Sequence, residues 1–292
     1  NRLVKYGKSS SDIANIKQEF ICNNHNLLMQ AVHYADIYGA QERRKRCKIC
    51  ESNLSDSADF YKHGVDYSIC TCCGHLNGLH EDTDDFCSTL YTDASGKEYA
   101  KEYIENTKDD YMRRVDKIYT PKVQFLFEIL NDSQRDANNM NFADFGAGAG
   151  YFAVALEKTG ASNVQAFDVN LEMLHLAKTM SPDLNVTHHS VDEVIQICES
   201  ITAEVVSLIG VLEHLQKPNE VLKALVSNQS INYLYISVPM FSPTVFFEMV
   251  FNEIMPRHLA KGHTHLFTSS SLEFLERKFK LERQGEWWFG ND

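Results

Sequence analysis

Apolar and polar positions along residues 141–238 follow a repeating rhythm. Short runs of β-branched and aromatic residues alternate with longer stretches whose apolar positions recur every three or four residues. The first pattern predicts buried strands, the second amphipathic helices. Strands are expected at about 141–145, 163–168, 184–188, 204–209 and 233–238, and helices at about 150–159, 171–180, 191–199 and after Pro218. Gly160 closes the first of these helices and Pro182 stops the second. Five strands separated by helices make a parallel sheet with helices on both faces and right-handed crossovers.

The flanks are less regular. Pro121 opens a helix carrying Val123, Phe125, Leu126, Phe127, Ile129 and Leu130. Ile13, Ile16, Phe20, Leu27, Ala31 and Tyr34 or Ala35 fall on one stripe, which predicts a helix over 11–40. It packs against the body or against another copy of the chain, so a homodimer is an open expectation. The polar patch Asn23 to Asn26 weakens its middle. Gln41 to Arg46 reads as a charged connector and Asp82 to Asp85 as a solvated acidic turn. The apolar run from Phe241 to Met255 suits a lid and a core or dimer helix equally. A last helix is expected over 271–278 and a strand over 279–289.

The first strand of the repeating region ends in Asp144 and runs into Gly146-Ala147-Gly148-Ala149-Gly150. Strand, glycine turn and helix together make the ligand end of an open α/β sheet. Asp168 ends the next strand, eighteen residues after Gly150, where a carboxylate can accept both hydroxyls of an adenosine ribose. The glycine spacing departs from the dinucleotide pattern G-x-G-x-x-G, and no G-x-x-x-x-G-K-[ST] triphosphate loop is present.

With Val211-Leu212-Glu213-His214-Leu215 after the fourth strand, this series resembles class I S-adenosylmethionine-dependent methyltransferases over roughly residues 117–290. The resemblance implies a doubly wound, mostly parallel, Rossmann-like α/β sheet. It implies a methyltransferase with S-adenosylmethionine as cofactor. On that basis Gly146, Ala147 and Gly148 line the methionine end, Asp168 binds the ribose, and Val169 counts with the cofactor-binding residues. Asp192 meets the adenine amino group, and Ile209 and Gly210 pass beneath the methionine part. Asp144 either serves the cofactor or holds the glycine turn. The segment before the first strand often closes over the cofactor in this family. Tyr99, Tyr103 and Arg114 are therefore contact candidates, with aromatic packing and surface charge as their plainer reading.

Five of the eight cysteines lie between positions 47 and 73. Cys47-Lys48-Ile49-Cys50 and Cys70-Thr71-Cys72-Cys73-Gly74 are separated by nineteen residues, the spacing of a zinc ribbon. Cys47, Cys50, Cys70 and Cys73 are the expected ligands of a structural Zn2+, with His63, His75 or Cys72 as replacements for one of them. Four thiolates leave no position for water. So short a segment cannot build its own core, and the metal contributes to its folding. The clustering suits a reducing compartment better than a disulfide framework, hence a cytoplasmic location. The expected order is a helical segment over 1–46, the zinc module over 47–90, connecting or lid helices over 91–130 and the methyltransferase domain over 131–292.

The formal charge of −12 disfavours non-specific contact with phosphate backbones. No Asn-Pro-Pro-Tyr motif, which holds the amino group of an extruded base, is present. No apolar run approaches the ~20 residues that span a bilayer. The chain opens on Asn1 rather than Met, and the resemblance calls for one more, antiparallel strand beyond Asp292. A longer chain is therefore expected at either end.

Methyl transfer from a sulfonium is a direct displacement that depends on orientation, and a hydroxyl acceptor also needs a base. Histidine suits that role near neutral pH. His263 or His265 is the favoured base, with His214 next. His258 shares their segment, and His188 and His189 stand on the adenine side. Arg257 pairs either with an acidic group of the acceptor or with a surface partner. A four-cysteine module fused to such a domain resembles sugar methyltransferases. Gly262 to Thr268 and Glu286 to Gly290 resemble the surface-polysaccharide type. The leading expectation is O-methylation of a glycan or sugar-linked small molecule. Sugar C-methylation and a non-catalytic binding role for the fold are the alternatives.

Overall fold

The computed structural model describes residues 2–8, 23–62, 64–91, 107–253, 258–259 and 263–289. The helical stripe over 11–22, His63, Tyr99, Tyr103 and Arg257 lie outside them. The elements are β1 (Leu3–Tyr6), α1 (Asn24–Gly39), β2 (Phe60–Lys62), β3 (Val65–Ile69), β4 (Leu76–Gly78), α2 (Asp84–Tyr91) and α3 (Lys108–Arg114). A π-helical turn, Val115–Tyr119, carries α3 into α4 (Thr120–Asp132). The repeating region then gives β5 (Asn141–Phe145), α5 (Tyr151–Thr159), β6 (Asn163–Asp168), α6 (Leu171–Met180), β7 (Asn185–His188), α7 (Val194–Ser200), β8 (Val205–Ile209), α8 (Pro218–Ser227) and β9 (Tyr233–Ser237). After it come α9 (Pro243–Val250), β10 (His265–Leu266), α10 (Ser269–Phe279) and β11 (Gly285–Trp288).

The five parallel strands lie in the order β7-β6-β5-β8-β9. The chain leaves the middle strand β5 to one side and returns to the other at β8, so the switch point lies beyond the ends of β5 and β8. Side chains alternate between the faces. Phe142, Val164, Ala166 and Val205 pack under α4, α5 and α6 in one core. Ala143, Phe145, Val206 and Leu208 meet α7, α8 and α10 in the other. Asp144 shares its face with Phe142, and in the pairing register it sits opposite Ser207.

The cysteine-rich segment does not stand apart. Cys47, Ile49, Cys70 and Cys73 join the second core. Asn219 at the start of α8 donates to the carbonyls of Lys48 (3.2 Å) and Ile49 (2.9 Å). Its small sheet runs β10-β4-β3-β2, so a strand from the far end of the chain completes it. That strand pairs His265 with Asn77 and Leu266 with Leu76. Helix α1 covers this sheet with Tyr34, Ala35 and Tyr38 against Val65 and Tyr67.

Three local expectations need correction. Asp82 is not part of a solvated turn, and Arg44 does not lie in a solvated connector. Asp82 is buried with Lys48 and Arg44, the latter at 3.0 Å, and carboxylate and cations are buried together because each offsets the other's desolvation. The last strand is shorter than the 279–289 reading, because Phe279 ends α10 and residues 281–284, with Glu282, Arg283 and Gln284 polar, form a loop. It pairs with β1 in parallel as a separate two-stranded sheet instead of extending the five-stranded one. Among the described residues no helix is long and apolar enough to cross a membrane.

Candidate active site

The glycine turn after β5 is built from three positive φ angles, 71° at Gly146, 54° at Gly148 and 75° at Gly150. A Cβ on Gly146 would lie 2.6 Å from Val211 Cγ2, and one on Gly150 would lie 2.9 Å from Leu184 Cδ2. Gly146 and Ala147 both donate their N–H groups to the Phe167 carbonyl, at 2.8 and 2.9 Å. The turn is thereby tied to the tip of β6.

Asp168 stands at that tip. Its Oδ2 accepts from the Gly148 N–H and its Oδ1 from the Asn170 N–H, both at 2.7 Å. Burial raises its pKa, and these donors oppose the shift. A carboxylate offers about four acceptor sites, so acceptor capacity remains beside these amides. Val169 and Ala147 are half-buried beside it, and Gly210 is exposed at the end of β8 with φ 68°. Ile209 is half-buried against the first core. Asp192 is exposed in the 3-10 turn Val191–Glu193 beyond β7. His189 is buried and stacks on Phe145, with ring centroids 5.5 Å apart. His188 is exposed, its Nε2 3.2 Å from the Val169 carbonyl oxygen.

Asp144 accepts a 2.7 Å hydrogen bond from Ser207 Oγ on β8. Complete burial pushes its pKa up to about 7, and the Asp168 charge adds to the rise against the Ser207 bond.

Beyond β8 the 3-10 turn Leu212–His214 presents Glu213 and His214. The His263 ring lies 4.9 Å from that of His214. Glu213, His214 and His263 each bring one ligand-capable atom within 4.8 Å of the others. Burial pushes Glu213 up to about 8, and Lys122 lies near enough to favour its charged form. Lys122, itself buried in α4, is pushed down to about 7 by the same loss of water. His265 is not beside them in the open: it is 1 % exposed, and its Nδ1 lies 2.8 Å from His75 Nε2. Burial holds both rings well below the usual histidine pKa, so both are neutral and one donates to the other. His258 is taken up by Glu248, whose Oε1 lies 2.8 Å from His258 Nδ1.

The sequence reading left Lys122 and Glu213 without roles. The signal for Lys122 was its place in the stripe Lys122-Leu126-Leu130, whose other members are core. Tyr111, buried in α3, was not singled out in the sequence. Its hydroxyl donates to the Ala149 carbonyl at 2.8 Å and braces the glycine turn from α3. Arg114 lies over the Tyr151 ring, 5.2 Å from its centroid.

Cys47, Cys50, Cys70 and Cys73 bring their sulfurs within 4.8 Å of one another. The Cys47–Cys73 and Cys50–Cys70 separations are 3.6 and 3.4 Å. A tetrahedral zinc with Zn–S bonds of about 2.3 Å has S–S edges of about 3.8 Å, so the donor set fits that ion. Asn77 Nδ2 donates to Cys47 Sγ at 3.6 Å, and Gly74, at φ 72°, turns the chain after the second knuckle. Cys72 is exposed.

Glycine turn, acidic strand tip and switch point together define a doubly wound α/β protein with a candidate ligand site at the carboxyl ends of its central strands. A family model described as a methyltransferase domain matches residues 111–282, more than half of the chain, and the chain belongs to that family. No curated protein matches it. Among solved structures it is similar to a SAM-dependent methyltransferase from Archaeoglobus fulgidus, with 16% identity over 63% of this chain and 73% of that one, at a TM-score of 0.42. It is also similar to the magnesium protoporphyrin IX methyltransferase of Synechocystis PCC 6803 with bound SAH, with 15% identity over 67% and 89%, at a TM-score of 0.44. A third is the plantazolicin methyltransferase BamL, with 13% identity over 66% and 70%, at a TM-score of 0.47.

Proposed function

We propose that this chain transfers a methyl group from S-adenosylmethionine to a hydroxyl of a sugar or sugar-linked acceptor. The observation that carries the methyl-transfer reading is the Asp168 carboxylate, fixed by the Gly148 and Asn170 amides at the tip of β6, next to the glycine turn. Its remaining acceptor capacity suits ribose hydroxyls. Gly146 lets the turn pack against Val211, where a side chain would clash, and so keeps the backbone close to the methionine part. S-adenosylmethionine supplies an activated methyl carbon bound to a cationic sulfur. The protein's part is to bind it, orient it and keep competing water out.

The acceptor stands on the side of Glu213, His214 and His263, which close the carboxyl edge of β8. The sugar assignment rests on the pairing of a four-cysteine module with this domain. Cys47, Cys50, Cys70 and Cys73 hold a structural zinc ion that fixes the small sheet and, through β10, the approach of His263. Calorimetry with S-adenosylmethionine tests the root of the reading: absence of binding ends it. Transfer of a labelled methyl group to nucleotide sugars and phosphosugars, but not to peptides or tRNA, supports the acceptor class.

A further inference from the structure

Glu213 is 3 % exposed and its Oε2 accepts no hydrogen bond. A buried acceptor left unmatched is costly, because it gives up its hydrogen bonds to water and gains none in return. Two imidazoles stand beside it, one on the same 3-10 turn and one on the segment that leads into β10. One donor atom from each of the three residues lies within 4.8 Å of the other two. Ligands about 2.0–2.2 Å from a shared ion sit some 3–4 Å apart, a spacing this cluster reaches with small rotations. We propose that Glu213, His214 and His263 form a divalent-cation site at the acceptor side of the active site, separate from the four-cysteine zinc site.

The two sites differ in chemistry. Four thiolates close around zinc and admit nothing else. Two imidazoles and one carboxylate suit a harder first-row ion and leave positions open. An open position next to the switch point takes an acceptor oxygen. Coordination lowers the pKa of a bound hydroxyl, whose proton passes to water. The oxygen then forms a bond to the methyl carbon while the carbon–sulfur bond breaks, and sulfur leaves with the electron pair as a neutral thioether. No oxidant or reductant takes part. His214 and His263 hold the cation and do not take the proton themselves. An acceptor with two neighbouring oxygens, such as a vicinal diol, fills the open positions best. The existence of the site rests on the cluster geometry, and its role rests on the methyl-transfer reading.

Zinc-loaded full chain, dialysed free of loose metal and titrated with Mn2+, tests the site. Free Mn2+ is counted by electron paramagnetic resonance. The expected result is about one Mn2+ bound per chain with zinc retained, and binding at least tenfold weaker in Glu213→Gln and in His263→Ala. Circular dichroism and urea unfolding establish that Glu213→Gln, which is isosteric, stays folded. No Mn2+ uptake by the unsubstituted chain, or equal uptake by both variants, overturns the site. S-adenosylmethionine calorimetry on the same samples separates the two readings. Cofactor binding without Mn2+ binding sinks the cation site alone, and Mn2+ binding without cofactor binding sinks the methyl-transfer reading alone.

Discussion

His75 Nε2 and His265 Nδ1 lie 2.8 Å apart in the interior, one ring on the cysteine-rich module and the other on the strand that completes its sheet. The Phe267 ring lies 5.0 Å from His75 and 5.5 Å from His265 and seals them from water. Loss of either ring orphans a buried nitrogen of the other, at a cost of about 1–3 kcal/mol. His75→Ala and His265→Ala are each expected to lower stability by that amount or more. The double variant should lose less than the sum, with a coupling of about 0.5–3 kcal/mol. Urea unfolding of the four proteins gives the cycle, and strict additivity would mean that the pair carries no shared energy.

The same strand ties the four-cysteine module to His263. Gly78 donates its N–H to the Thr264 carbonyl at 2.8 Å, one residue from His263. The second cysteine knuckle sits just before β4. Cys73→Ser is expected to lose the zinc, loosen β4 and misplace His263, while the glycine turn in the other sheet stays intact. Cofactor affinity should change by less than about threefold and turnover should fall at least tenfold. Zinc content, calorimetry and labelled methyl transfer together check this. Full turnover by a zinc-free chain would show that the module does not position the acceptor side.

Much of the five-stranded region was legible because its signals are local. Each strand is a short apolar run between glycine, proline or polar punctuation, and the structure ends the strands within a residue or so of the expected positions. Asp144 and Asp168 announced themselves as acids ending apolar strands. The partners of β10 and β11 were not legible. Pairing His265 with Asn77, or Trp287 with Lys5, joins residues far apart in the chain, and no periodicity encodes such a contact. Asp82 was misread for a related reason: an acidic run looks solvated until its partners, Lys48 and Arg44, are brought to it by the fold. Glu213 was visible as a residue and silent as chemistry, since its neighbour His263 arrives on the distant segment that leads into β10.

Gly146 has no room for a side chain. A methyl group there meets Val211 Cγ2 at 2.6 Å, and the φ of 71° is strained for any other residue. Gly146→Ala is expected to weaken cofactor binding at least tenfold and to lower stability by about 1–3 kcal/mol. Adding Val211→Ala should relieve the contact but not the φ strain, so recovery is partial. Calorimetry and urea unfolding of both variants measure this, and a Gly146→Ala protein with unchanged affinity would place the methionine part elsewhere.

Asp168→Asn keeps the size of the side chain and one acceptor oxygen, but its amide must face the Gly148 or the Asn170 N–H. Hydrogen bonds from hydroxyls to a charged acceptor contribute about 1.5–3 kcal/mol each. A loss of 10- to 100-fold or more in affinity for the cofactor is therefore expected. The demethylated thioether product, which keeps the ribose, should lose affinity by the same factor. Equal affinity in the variant and the unsubstituted chain would remove Asp168 from the ribose site.

Asp144 gives the pH dependence. Its carboxyl is fully buried and accepts a hydrogen bond from Ser207 Oγ, and burial raises its pKa from the ordinary 3.8 to about 7. The folded chain therefore holds a proton there that the unfolded chain has released, from about pH 4 up to about pH 7. Stability from this group is fully present below pH 4 and is lost as pH rises through that window, to a total of about 4 kcal/mol. Asparagine accepts the Ser207 bond without ionising. Asp144→Asn is thus expected to raise stability by a few kcal/mol at pH 8 and by about 1 kcal/mol or less at pH 4.5. Urea midpoints of the two proteins at both pH values decide it. A gain at pH 4.5 equal to that at pH 8 would show that the effect comes from packing, and that Asp144 ionises as readily in the folded chain as in the unfolded one.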